Sequence, residues 1–322
     1  MSPEVTILGA GVAGLCVARE LAGRGAAVRI LDPEGGPGPG GCSWWAGGML
    51  APLCEGETAE EPVTRLGAEA ADWWRRAGAE VTGAGTLVVA LGRDRGELDR
   101  FARRTVGHRR LAAGDLAALE PALASRFPGA LHMVDEAHID PRKALETLRH
   151  GLSQQGIDIE TEGAAQGTVI DCRGLAARGR LPDLRGVRGE MAVLHAPDIA
   201  LRHTVRLLHP RHPLYLVPRG AGIYMLGATQ IESDGRGPPT LRSLAELLNA
   251  AYALHPAFAE AEVLEIGADA RPAFPDNLPR IVREGDRIHV NGLFRHGFLL
   301  APALARMTAA LVLDGVEPEL MQ

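Results

Sequence analysis

Three glycines spaced Gly9-x-Gly11-x-x-Gly14, with Asp32 eighteen residues beyond the last, are the residues of this chain whose types and spacing specify chemistry most directly. Gly9 suits a tight turn, Gly11 lets a backbone approach a pyrophosphate, and Gly14 permits close packing of helix on strand. Val12 and Ala13 then open a helix whose unpaired N–H groups and dipole favour phosphate. Asp32 is placed to accept hydrogen bonds from a ribose hydroxyl, and a carboxylate there argues against a 2′-phosphate, hence against NADP. The chemistry implied is binding of an extended dinucleotide.

These residues need a strand, a turn, a helix and a second strand to position them, and the flanking sequence supplies all four. Val5-Thr-Ile-Leu8 precedes the glycines and Ala27-Val-Arg-Ile-Leu31 precedes the acid. A loop too rich in glycine and proline for regular structure, residues 33–41, follows. It leads into Cys42-Ser-Trp-Trp-Ala-Gly-Gly-Met-Leu-Ala-Pro52, whose two tryptophans make poor linker material. Residues 59–78 read as one helix, Thr86–Leu91 as a strand, and Arg93–Phe127 as helical pieces broken at Pro121. Asp140 and Pro141 sign the start of a further helix that runs to Gly151. Thr168–Cys172 reads as a buried strand returning to the first sheet. From Gly189 to Ile266 the pattern changes to closely spaced strands: 190–195, 204–209, 215–217, 223–228 and 263–266, with a hairpin turn over Pro218–Gly222. Arg287–Asn291 is one more strand, and a last helix is expected from near Pro302 to Asp314. The fold class is therefore α/β plus α+β: a Rossmann-like domain carrying an inserted, mostly antiparallel sheet. The expected division is 1–80, 139–188 and 268–322 for the first domain, and 81–138 and 189–267 for the second.

Composition narrows the partners. The 322 residues, 46% hydrophobic, suffice for two cores, and a net charge of −6 with no basic run leaves no nucleic-acid footprint. Cys16, Cys42, Cys54 and Cys172 form no C-x-x-C pair and no metal-ligand spacing, as expected of reduced thiols in a cytoplasmic protein without a metal site. No uninterrupted apolar run reaches the length of a membrane span.

Three further blocks follow the fingerprint in order: Ser43–Pro52, Gly267-Ala-Asp-Ala-Arg-Pro-Ala-Phe-Pro-Asp-Asn-Leu-Pro279, and Asn291-Gly-Leu-Phe-Arg-His-Gly-Phe-Leu-Leu-Ala-Pro302. With 138–143, 171–177 and 207–210, they resemble the FAD-dependent D-amino-acid oxidase family, most closely its glycine oxidase branch of thiazole (thiamin) biosynthesis. The resemblance implies a noncovalent FAD on Gly9, Gly11, Val12, Ala13, Gly14 and Asp32. Its ring would be lined by Ser43, Ala46, Gly47, Gly48 and Met49, with further contacts from Cys172, Gly174, Arg295, His296, Gly297, Phe298 and Leu299. The helix beginning near Gly297–Ala303 would turn its positive end toward the reduced ring. Arg271 matches the family's carboxylate-binding arginine, Tyr215 its second carboxylate contact, and Arg295 a position beside the substrate amino group. Gln230 stands where relatives carry an apolar side chain. The implied activity is oxidative deamination of glycine or a similar small amino acid by hydride transfer to FAD. Its products are an imine or glyoxylate, ammonia and, with dioxygen, hydrogen peroxide. The implied partners are thiazole synthase as acceptor of the imine and a second copy of the chain in a homo-oligomer. Alternatives are a D-amino-acid or sarcosine oxidase or dehydrogenase of the same family, or a catalytically silent redox sensor.

Overall fold

The computed structural model describes residues 3–209 and 213–321, so Pro210, the end of the 207–210 block, lies outside the described residues. Glu4–Leu8 is a strand whose Val5 and Ile7 are fully buried, as a central parallel strand covered on both faces must be. It pairs in parallel with Ala27–Leu31 on one side and with Thr168–Asp171 on the other, Ile7 facing both Ile30 and Ile170. The full sheet has six strands, in the order Arg280–Glu284, Arg287–Asn291, Thr168–Asp171, Glu4–Leu8, Ala27–Leu31 and Ile159–Glu160. All its pairs are parallel except the first.

The second sheet has nine strands and is mostly antiparallel, with one parallel pair between Thr86–Ala90 and Thr204–Leu208. Its longest pair sets Arg185–His195 against Glu262–Ala273, the strand that bears Arg271. The hairpin from Leu214–Gly220 to Ile223–Gly227 turns through Gly220, Ala221 and Gly222, all at positive φ. A short third sheet joins Met49–Leu50, Ala137–Ile139 and Val81–Thr82. The helix Pro141–Ser153 is capped as its sequence predicts, the Asp140 carboxylate accepting from the Arg142 and Lys143 amides.

Several elements differ from the sequence-based expectation. Residues 59–78 form two helices, Glu61–Gly67 and Ala70–Arg76. The stretch 93–127 includes a strand, His108–Ala112, among its helices. An unexpected helix, Leu241–Leu254, is capped by the Thr240 hydroxyl and covers the second sheet with Leu247, Ala250, Ala251 and Leu254. The last helix starts at Gly297 and runs to Asp314 with Pro302 inside it. A proline there removes the N–H that would bond the carbonyl of Phe298. That carbonyl accepts instead from the Trp74 indole at 2.8 Å, so it is not left without a partner. This helix is long and apolar enough to cross a membrane by length and composition, yet 67% of it is buried within the protein. Trp74 stacks on Phe298 at 5.5 Å, and the helix packs along Val12–Gly23.

Candidate active site

A cleft of about 750 Å³ runs between the two large sheets, from the glycine turn at Gly9 to the strand bearing Arg271. Its first end is built from backbone. Gly9 has φ +94°, and a Cβ there would press on the Cys172–Arg173 backbone. At Gly14 a Cβ would fall 1.9 Å from the Gly9 carbonyl, so only glycine lets the helix meet the strand. Asp32 accepts from the Ala10 amide at 2.6 Å and the Glu34 amide at 2.9 Å, and its carboxylate borders the cleft. Ser43 reaches back to the same turn, accepting from Val12 N–H at 3.1 Å.

The middle wall is the 42–49 segment. The half-buried Arg219 guanidinium donates to the Gly47 carbonyl at 2.6 Å and to the Ile139 carbonyl at 2.7 Å, pinning the glycines to the third sheet. Gly48, at φ +71°, lies so near that sheet that a Cβ would come within 2.2 Å of the Ile139 oxygen. Arg142 sits over both Trp44 and Trp45, at 4.5 and 5.4 Å, and the Trp45 ring fills the space that Gly267 leaves. Ala46, Met49, Cys172, Gly174, Gly297 and Phe298 also border the cleft. Cys42 does so as a neutral thiol, burial pushing its pKa up to about 11. Leu299 points instead into the core against Gly67, and Gly14 lies behind the turn.

Five arginines border the cleft along its length, Arg149, Arg173, Arg236, Arg271 and Arg295, with Arg173 beside the glycine turn. Four have acid partners: Arg149 with Glu146, Arg173 with Asp171, Arg236 with Asp269, and Arg295 with Glu55. Arg271 has no ion pair among the described residues and donates only to the Thr229 carbonyl, at 3.2 Å. Desolvation lowers its pKa to about 10, still far above neutrality. Its guanidinium lies over Gly189, where a Cβ would be 1.9 Å from Nη2. Tyr215 borders the same end, and its buried hydroxyl has no hydrogen-bond partner among the described residues. Beneath the tyrosine ring lies Arg206, 5.1 Å from its centre and ion-paired with Glu57 at 2.5 Å.

Arg295 is not a free cation. Its Nη2 lies 2.5 Å from Glu55 Oε2 and 3.0 Å from the Thr58 hydroxyl, while His296 Nε2 lies 2.9 Å from the same Glu55 oxygen. Burial alone would raise the Glu55 pKa, but Arg295 and His296 outweigh it and hold the carboxyl well below the ordinary range. His296 thus sits beside the cleft's wall, holding Glu55. Glu55, Gly189, Arg206 and the Thr229 carbonyl are absent from the sequence reading. Only Glu55 carries a signal there, standing three residues after the block that ends at Pro52.

The shape fits an extended dinucleotide with a planar ring: a glycine cradle at one end, a backbone-lined middle, and an unpaired guanidinium with an unpaired hydroxyl at the other. Comparison with known proteins agrees. Residues 4–311 match the FAD dependent oxidoreductase (DAO) family. The chain is 55% identical over 323 residues to a Rhizobium etli protein described as a candidate thiamine biosynthesis oxidoreductase, ThiO, with 98% of each chain covered. It is 28% identical to the glycine oxidase of Pseudomonas aeruginosa, over 99% of this chain and 96% of that one. Among solved structures, glycine oxidase from Geobacillus kaustophilus superposes with a TM-score of 0.82 at 22% identity, covering 99% of this chain and 97% of the other. The chain belongs to the FAD-dependent oxidoreductase family.

Proposed function

We propose that this protein oxidises glycine, or an amino acid little larger, to the imine, in service of thiazole formation for thiamin. The reading is carried by Arg271, the one arginine bordering the cleft that has no acid partner among the described residues. A half-buried guanidinium facing a cleft without a counter-ion asks for an anion, and its planar fork holds a carboxylate through two parallel hydrogen bonds. Tyr215 supplies a second donor to that carboxylate, its hydroxyl being otherwise unpaired.

Bound FAD supplies the two-electron acceptor that converts the amine to an imine, and dioxygen restores it with release of hydrogen peroxide. The protein's own residues position the substrate. Arg271 and Tyr215 fix the carboxylate, so the amino group and Cα turn toward the wall formed by Ala46–Met49. The start of the Gly297–Asp314 helix, together with Phe298, closes the opposite side. Its N-terminal dipole favours negative charge on whatever ring lies against it. With orientation and a fixed field doing most of the catalysis, no acid–base dyad is needed, which leaves His296 to hold Glu55. The imine then hydrolyses to glyoxylate and ammonia or passes to thiazole synthase. We further assign residues 1–80, 139–188 and 268–322 to FAD, and 81–138 and 189–267 to the substrate. A cytoplasmic homo-oligomer is the expected form.

Anaerobic titration of the yellow holoprotein with glycine, followed at visible wavelengths and then by admission of air, tests the proposal. Bleaching with recovery in air is the expected result. An unchanged spectrum at saturating glycine would overturn it.

A further inference from the structure

The substrate end of the cleft holds two guanidinium groups, Arg271 and Arg295, near enough for each to bear on the other's charge. Two such groups on one wall are what a dicarboxylate or an amino phosphonate would require. Glu55 prevents that. Its Oε2 takes both Arg295 Nη2, at 2.5 Å, and His296 Nε2, at 2.9 Å, and its side chain is buried while still bordering the cleft. The neighbouring charges cancel in pairs: Arg206 with Glu57, and Arg236 with Asp269. Tyr215 and Cys42 are neutral, burial raising both their pKa values. The net charge offered to a substrate is therefore a single positive one, from Arg271.

We infer that Glu55 is a specificity-determining residue: by neutralising Arg295 it restricts the site to amines bearing one anionic group and rejects those bearing two. The inference rests on the proposed role of Arg271 as carboxylate anchor. A monocarboxylate meets one cation and leaves no net charge in the cleft. A dianion brings a second negative charge into a wall whose other described cations are already engaged, and repulsion from Glu55 adds to the penalty. Deleting the Glu55 charge while keeping its shape frees Arg295 to act as a second anion site.

The test compares acetate with malonate, neither of them oxidisable here, by their perturbation of the bound flavin's absorbance in the holoprotein. In the wild type, malonate binds more weakly than acetate by at least about tenfold, and in Glu55→Gln the malonate-to-acetate affinity ratio rises by at least about tenfold. A ratio unchanged by the substitution would overturn the inference while leaving the Arg271 reading standing. A wild type that neither acid perturbs would overturn both. Should Glu55→Gln fail to fold, Arg295→Met removes one of the two partners of the Glu55 carboxylate and leaves it beside the cleft with His296 alone of the pair. Acetate affinity should then fall by at least about tenfold, and an unchanged affinity would overturn the inference.

Discussion

The two ends of the cleft are built by different means. The cofactor end is made mostly from one run of chain, residues 5–34, and its shape is main-chain shape: Gly9 at φ +94°, a helix pressed onto a strand at Gly14, and Asp32 fastened by two backbone amides. The substrate end gathers Glu55, Gly189, Tyr215, Thr229, Arg271 and Arg295 from a short helix and from separate strands and loops, and what they bring is charge and space. A cradle of backbone tolerates side-chain exchange except where a glycine is needed. A constellation of buried charges fails when one member is lost, because its partner is left unpaired in a desolvated place.

The largest effect is therefore expected at the substrate end. Arg271→Ala should retain FAD yet weaken carboxylate binding by about 2–5 kcal/mol, the usual cost of truncating one partner of a buried charge pair. The glycine KM and the acetate dissociation constant both report it. Unchanged values would move the anchor elsewhere and erase the contrast between the two ends.

Titration sharpens the comparison, since the substrate side buries an acid that has no ion pair among the described residues. Glu136, 1% exposed, accepts from the Cys54 amide at 2.6 Å with one oxygen, while the other has no partner among the described residues. Desolvation raises its pKa from an ordinary 4.5 to about 7. The native state thus keeps a proton that the unfolded chain has released. Its contribution is fully present below the unfolded value, and as pH rises from about 4.5 through 7 about 3 kcal/mol of stability is lost. Glu136→Gln should flatten the decline of Tm between about pH 5 and pH 8. Parallel Tm profiles for variant and wild type would show that the buried carboxyl carries no such linkage.

Gly189→Ala asks whether space matters as much as charge. The added methyl would sit 1.9 Å from Arg271 Nη2, so the guanidinium must move toward the cleft, at a cost of about 1–3 kcal/mol. The glycine KM should rise by one to two orders of magnitude, with FAD content and kcat at saturation unchanged. A fall in kcat alone would show that Gly189 serves the fold rather than the anchor.

The same contrast explains what could be read from the sequence. Glycine spacing encodes main-chain geometry locally, so the first βαβ unit and the returning Thr168–Asp171 strand were legible. Arg271 was legible through its surrounding motif. Gly189 was not, because nothing near it in sequence says that a guanidinium from a neighbouring strand needs its missing side chain. The start of the last helix was misplaced because Pro302 signals a first turn, and the compensating Trp74 indole is more than two hundred residues away. The His108–Ala112 strand shows no apolar alternation because only Leu111 in it is buried. Residues 241–254 do carry apolar residues at helical spacing, and the surrounding run of strands masked them.

The smallest effect is expected at the cradle, where Asp32→Ala removes an acceptor from two backbone amides and from the ribose hydroxyl it would hold. Loss of hydrogen bonds to a carboxylate costs about 1–3 kcal/mol each when the donors stay buried, but the Ala10 and Glu34 amides border a cleft that water can enter. We expect FAD to bind roughly tenfold more weakly, near the lower bound of that range. The glycine KM at saturating FAD should not move, because no part of the substrate end leans on Asp32. Asp32→Asn keeps one acceptor oxygen and should recover part of the loss. Reconstitution of the apoprotein, followed by quenching of flavin fluorescence, measures both variants. Undiminished affinity in Asp32→Ala would mean that the glycine turn alone holds the dinucleotide, and the cradle would then depend on backbone even more completely than its geometry suggests.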